Sequence, residues 1–459
     1  MNATSDRLSR WTPTIFACAL VNLVLGLLLA VAGLGWPVAS ATAPVSLAMM
    51  HLLTIGWLTL LMFGALFQFV PVITSRKLPS QALPLVTLIG VECGLALMVG
   101  GFCALGHWAW MARLLPVGGG LVIIALLVGG ATLLVPLAAK RPAPLSARFV
   151  LAGLGFLLLT ILLGLSFALA LTVPATGPAL APLLTGGVGY HVLAGLGGWF
   201  TLTAIGVSYE LLPMFMLAPH ERGALGAAVL WAGVGGFLAA LTAGLTGSVW
   251  PVGWLATLEQ VGRLGIMLAL GLYLADVVRL YCSRRRQIEL HNRAAIGAFV
   301  ALGLAMLLAV GAVVTDRLAV LAPSLVLLVL LGWLSGLALT QLYKIVAFLS
   351  WLSRYGGRLG RSRVPRVQDL VNEPRSVGFF VLYFAAVAVA TIAAARGSED
   401  MIRAALAFAL LAILLLAQEY TRAWRAVYAR EQPGRLPPVR PPFLAQKESA
   451  DDASRPPHA

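Results

Sequence analysis

Charge is what this sequence has least of. Of its 459 residues, 11% are charged and 60% are hydrophobic, whereas a soluble domain carries roughly 25% charged residues. So little charge cannot cover a folded surface in water. Most of that surface must face lipid, where every backbone polar group needs an internal partner. Aromatic residues are few, at 8%, and no run alternates polar with apolar, which excludes a β-barrel and leaves helices. Acidic residues are scarcer than basic ones, 17 against 32, for a net charge of +15. The basic residues form no single tract beside aromatics, so nucleic acid is excluded as a partner. They lie in short clusters between apolar runs, as topology signals do. Cysteine is rare as well: Cys18, Cys93, Cys103 and Cys282 form no CxxC pair and read as small buried hydrophobes. There is no phosphate-binding GxxxxGK[ST] loop, no zinc signature and no soluble catalytic motif. The first apolar run, from Thr14 to Trp36, is long enough to span and lacks a small-residue cleavage site after it. It reads as a first span rather than a signal peptide.

What is present is a series of apolar runs near the roughly 20 residues that a span requires. They fall at 14–36, 45–73, 82–105, 113–138, 148–172, 186–216, 225–247, 254–281, 294–315, 319–350, 376–395 and 401–421. The fold class expected is an all-α integral membrane protein of about twelve transmembrane helices, its lipid partner the bilayer. Residues 1–13 precede the membrane domain of 14–421, and the Pro-rich charged tail of 422–459 is expected to be disordered. The basic clusters follow even-numbered spans: Arg76 and Lys77, Lys140 and Arg141, Arg222, Arg284 to Arg286, Arg354 to Arg375, and Arg422 to Arg430. The opposite loops hold only Arg113, Arg317, Arg396 and Arg403. That asymmetry places both termini in the cytoplasm of a bacterial inner membrane. The basic segment RYGGRLGRSRVPR from Arg354 is expected to lie against anionic lipid headgroups.

Spans 2, 6 and 10 run in the same direction and share a pattern. Aligned on Trp57, Trp199 and Trp333, each has Gly just before the Trp and Thr59, Thr201 or Ser335 two residues after it. Gly64, Gly206 or Thr340 stands seven after, and Phe67, Tyr209 or Tyr343 ten after. Gln68, Glu210 or Lys344 stands eleven after, and Pro71, Pro213 or Ala347 fourteen after. Steps of seven return to nearly the same helical face, within about 20°, so Trp, small residue and Pro form one stripe. A small residue between bulky ones admits a neighbouring helix. Recurrence at this period implies three pseudo-equivalent four-helix arcs, about 14–138, 148–281 and 294–421.

Three four-helix arcs resemble subunit I of the haem-copper oxidases and nitric oxide reductases, including the cbb3 type, and the chain is also similar to NnrS-type membrane proteins. The resemblance implies a low-spin haem ligand at His51, near the outer end of span 2, and a copper ligand at His191, near the outer end of span 6. Met50 beside His51 adds a thioether that suits soft copper. The resemblance further implies a role in respiration, metal handling or nitric oxide tolerance, beside a respiratory complex. The departures are as informative. Span 7 has no His where the family carries a His pair, and span 10 has none where it carries one for each haem. A bis-His haem needs two axial ligands and the copper site three imidazoles. An active terminal oxidase is therefore not expected, and whether the chain binds haem, copper or neither is left open.

Other residues carry competing readings. Glu92, mid-span in span 3, is a proton or ion path residue or a hydrogen-bonded packing residue; with the breaks at Pro71 and Pro213 it motivates a transporter of a small solute, proton or metal ion. Glu259 and Arg263, four apart, read as a structural pair. Glu210 and Lys344 either pair across the bundle or snorkel separately. Met214, Met216 and His220 close span 6 as apolar packing or a soft-metal string. On ideal helices His51 and His191 point about 160° apart relative to the shared stripe.

Overall fold

The computed structural model describes residues 10–140, 142–173, 175–219, 223–359 and 364–425. His220, Arg222 and the tail from 426 lie outside the described residues. Twelve helices are long and apolar enough to span a bilayer, and no strand occurs among the described residues. They are Thr12–Val31, Pro44–Thr74, Leu83–Ala104, Ala109–Ala138, Leu145–Thr172, Val188–Met216, Gly223–Val249, Gly253–Cys282, Leu290–Val314, Leu318–Arg358, Glu373–Arg396 and Glu399–Arg425, here spans 1 to 12. The chain is a multi-pass membrane protein. Exposed Trp108, Trp110, Trp250 and Trp254 lie at the end away from the basic loops, where an aromatic belt meets the membrane interface.

Spans 2, 6 and 10 are the most buried, as an inner ring must be. Each packs against the first span of its own repeat: 2 on 1, 6 on 5, 10 on 9. Spans 3 and 4, and likewise 7 and 8, pair closely because glycines let their backbones touch. A Cβ on Gly101 would overlap the backbone of Leu115, and one on Gly262 that of Ala240.

The repeat has a backbone signature. In each inner span a π-helical stretch interrupts the α-helix: Leu52–Thr59, Leu193–Thr201 and Leu328–Ser335. Each ends two residues after its Trp. A π turn frees carbonyls that, in lipid, must be satisfied by neighbours. Asn22 Nδ2 donates to the Gly56 carbonyl at 3.4 Å, Thr201 Oγ1 to the Leu196 carbonyl at 2.8 Å, and the Tyr383 hydroxyl to the Leu331 carbonyl at 2.7 Å.

The three Trp side chains are fully buried and tie the repeats to one another. Trp57 Nε1 donates to Ser335 Oγ at 2.9 Å, and Trp199 Nε1 donates to Thr59 Oγ1 at 3.3 Å. Each acceptor is the hydroxyl two residues after the Trp of the neighbouring repeat. The third step would join Trp333 to Thr201, but the Trp333 Nε1 has no partner. Its ring packs instead against Tyr273 and Phe299.

The small residues of the stripe admit the first span of each repeat. A Cβ on Gly64 would lie 3.0 Å from Ile15 and Phe16, and one on Gly206 would lie 2.5 Å from the Phe149 Cβ. The polar residue eleven after each Trp latches onto the start of that same first span. Gln68 Nε2 donates to Thr12 Oγ1 at 2.8 Å, Ser146 Oγ donates to Glu210 Oε2 at 3.2 Å, and Lys344 pairs with Glu289. The expected alternatives for Glu210 and Lys344 are thereby corrected: each partner lies within its own repeat, because that is where the helix end lies nearest. Spans 2 and 6 end four residues after Pro71 and Pro213, at Ser75 and Leu217 with positive φ of 55° and 51°. Span 10 has Ala347 at that place and continues past the expected 350 to Tyr355 before a short 3-10 turn. The cysteines are a further correction. Cys93, Cys103 and Cys282 are exposed and Cys18 is half-buried, since in a membrane protein an apolar side chain is as stable against lipid as in the core.

The substitution Gly206→Ala is expected to destabilise the protein by about 1–3 kcal/mol through overpacking against Phe149, read as a lower melting temperature in detergent. Gly155→Ala, where a Cβ meets nothing within 4 Å, is expected to leave that temperature unchanged.

Candidate functional site

His51 ends the first α-helical stretch of span 2, immediately before its π segment. Its Nδ1 lies 2.7 Å from the Leu47 carbonyl. A carbonyl only accepts, so Nδ1 carries the proton and Nε2 is left as a free donor atom. The ring rests on Phe102 of span 3, with centroids 4.9 Å apart. His191 stands at the corresponding place on span 6, two residues before its π segment. Its ring packs on Gly164 and edge-on to Phe167 of span 5, at 5.6 Å. A π stretch intervenes between each His and its Trp. Both His51 and His191 lie at the end opposite the basic loops.

Met50 does not join His51. Successive helical residues diverge by about 100°, and Met50 packs as a partly buried hydrophobe against the core. Met214 is exposed and Met216 fully buried at the other end of span 6. They share no face with one another, and His220 lies outside the described residues.

Next to His191, the Tyr190 hydroxyl donates to Glu259 Oε1 at 3.0 Å, and Glu259 pairs with Arg263 as the spacing predicts. The pair therefore also anchors span 8 to the start of span 6.

Glu92 is half-buried in span 3. Asn22 of span 1, itself buried, donates to Glu92 Oε1 at 2.9 Å, to the Cys18 carbonyl at 3.1 Å and to Gly56. One carboxamide thus joins spans 1, 2 and 3. Its close fit explains Gly56, where a Cβ would lie 2.6 Å from the Asn22 Cγ. The sequence reading singled out Glu92 but not Asn22; its signal was an uncharged polar residue in the middle of an otherwise apolar run.

At the basic end, three further residues escaped sequence reading. Glu289, on the boundary of span 9, is buried between Arg286 at 2.8 Å, His291 at 3.7 Å and Lys344. His291 is fully buried and edge-on to Phe215 of span 6 at 4.9 Å. Glu419 accepts from the Asn372 backbone N–H at 2.7 Å and pairs with Arg422 at 3.5 Å. These cross-links hold helix ends together, a structural role.

No protein-family model matches the chain, and no curated protein matches it either. The cofactor question therefore rests on the geometry alone. A haem needs an open slot along an inner span, and those slots are filled. Asn22 and Leu95 fill the space at Gly56, Phe156 that at Gly198 and Phe237 that at Gly197. Ala301 does so at Gly332 and Phe384 at Gly336. The residues present do not fit a macrocycle. A metal ion asks for less room: His51 is oriented by a backbone carbonyl as ligating histidines are, and His191 lies at the same end of the neighbouring inner span. No group of three or more His, Cys, Asp or Glu side chains that could hold a metal occurs among the described residues, so the site is a two-imidazole one.

The purified protein is expected to give a featureless reduced-minus-oxidised spectrum in the Soret region. A Soret band lost in His51→Ala would overturn the reading of filled slots.

Proposed function

We propose that this chain is a haem-copper oxidase-like scaffold that lacks a complete binuclear centre and keeps a two-imidazole site, His51 and His191, for copper. It lies in the bacterial inner membrane with its basic end and both termini in the cytoplasm, where the loop charges favour that orientation. The observation that carries the reading is the His51 Nδ1 tied to Leu47 at 2.7 Å, which leaves Nε2 as the atom able to bind a metal. Imidazole suits copper. Neither imidazole brings a compensating negative charge. A monovalent ion leaves less unbalanced charge in a low-dielectric site than a divalent one, so Cu(I) is favoured over Zn(II) or Cu(II). Copper held there would supply one-electron chemistry or a binding point for a small molecule. The protein's part is to hold the two rings against Phe102 and Phe167 and to exclude water. A role accessory to respiration, metal handling or nitric oxide tolerance, beside a respiratory complex, fits such a site.

Copper titrated as Cu(I) into the detergent-purified protein is expected to bind at about one equivalent. His51→Ala and His191→Ala each remove a ligand and are expected to weaken binding by more than the roughly 100-fold upper range for loss of a mere supporting group. Equal binding by wild type and both variants would remove copper from the proposal.

A second reading, transport of a small solute, proton or metal ion, rests on a different observation: the Asn22–Glu92 hydrogen bond of 2.9 Å in the middle of the bundle. Ionisable groups at that depth mark ion and proton paths. On that reading, a proton-coupled flux into proteoliposomes disappears in Glu92→Gln and persists in His51→Ala. Flux retained in Glu92→Gln would discard it.

A further inference from the structure

The bond between Asn22 and Glu92 uses only half of the carboxyl group. Oε1 accepts from Asn22 Nδ2 at 2.9 Å. Oε2 has no partner among the described residues, and protein does not enclose it. The residues around it belong to the outside of the bundle. Ile89 and Cys93 on span 3 are exposed, and so are Val21 and Leu25 on either side of Asn22 in span 1. Spans 1 and 3 each pack on span 2 and scarcely on one another. A furrow therefore runs between them, with span 2 as its floor. Asn22 and Leu95 meet there over Gly56, and Glu92 stands on the wall.

Depth decides what that carboxyl can be. Glu92 is ten residues into the 22-residue span 3. At 1.5 Å per residue it lies roughly 14 Å from one helix end and roughly 18 Å from the other. That is near the middle of a hydrocarbon core about 30 Å thick. No ion pair to Glu92 occurs among the described residues, and an uncompensated charge is expensive at this depth. The group is therefore held as the neutral acid, which has one O–H donor. Since Oε1 accepts from Asn22, the proton belongs on Oε2, the oxygen left open. Hydrocarbon offers that donor no acceptor, and an unpaired donor is costly there.

We propose that the furrow between spans 1 and 3 is a lateral binding site for neutral, lipid-dissolved molecules that carry a hydrogen-bond acceptor such as a carbonyl, anchored by the Glu92 hydroxyl. The exposed side chains beside Glu92 are apolar or a thiol, so the rest of the occupant is apolar too. An anion would find no cation. The ester carbonyls of phospholipids lie at the edge of the core, about 15 Å from its middle, too far to reach Oε2. The occupant must therefore dissolve within the hydrocarbon itself. This site opens sideways to lipid, whereas the transport reading needs access from water, and the imidazoles take no part in it.

Carbodiimide labelling of the wild-type full chain in lipid nanodiscs tests the proposal. The O–H of a protonated carboxyl adds across a carbodiimide C=N bond, and acyl transfer to nitrogen then leaves a stable N-acylurea that mass spectrometry locates. Dicyclohexylcarbodiimide, which partitions into lipid, is expected to label Glu92, and a water-soluble carbodiimide is expected to leave it unlabelled. Dihexyl ketone is expected to slow the labelling by about fivefold or more relative to tridecane, an alkane of equal chain length, since that is the factor one hydrogen bond supplies. An unlabelled Glu92 would overturn the proposal, as would equal protection by ketone and alkane. Labelling from the water side would also overturn it, while leaving the transport reading in place.

Discussion

Within hydrocarbon, no backbone carbonyl can be left without a partner, yet all three inner spans contain a stretch that breaks the regular α-helical ladder. The arrangement persists because neighbouring helices supply donors where the π turns release acceptors: Asn22 to Gly56, and Tyr383 to Leu331, while Thr201 reaches back along its own span to Leu196. Much else follows from those turns. They set the direction of each Trp, so that the indole N–H reaches a hydroxyl on the next repeat.

The three repeats keep one packing plan and differ in what fills it. Against the glycine before each Trp stands Asn22 in the first repeat, Phe156 in the second and Ala301 in the third. The first choice creates a hydrogen-bonded carboxyl in the membrane; the other two create only contact. The polar latch at the basic end is an amide–hydroxyl bond, a hydroxyl–carboxylate bond and an ion pair in turn. Chemistry therefore collects where the repeats diverge. The side chains that fill the glycine notches differ between repeats, so one backbone plan carries three different local chemistries.

Much of the plan was legible from the residues. Hydrophobic runs gave all twelve spans, most ends within a few residues, because a bilayer demands length and apolarity whatever the tertiary contacts. The stripe of Trp, small residue and Pro marked spans 2, 6 and 10 as equivalent members of a repeat, while their place as the most buried spans came only from the structure. Glu259 with Arg263 was readable because a four-residue spacing makes a pair within one helix. The partners of Glu210 and Lys344 were not, since both lie across helix boundaries. Asn22, Glu289 and His291 were missed for the same reason: each matters through a neighbour distant in sequence.

By itself the sequence determined the membrane class, the number of spans, their parallel repeat and the candidate imidazoles, all of which follow from local composition and period. Only the tertiary structure decided where the π turns fall, which indole meets which hydroxyl, and that Asn22 joins spans 1, 2 and 3. Those outcomes depend on how one helix packs on another, and side chains tens to hundreds of residues apart meet only after the bundle has closed.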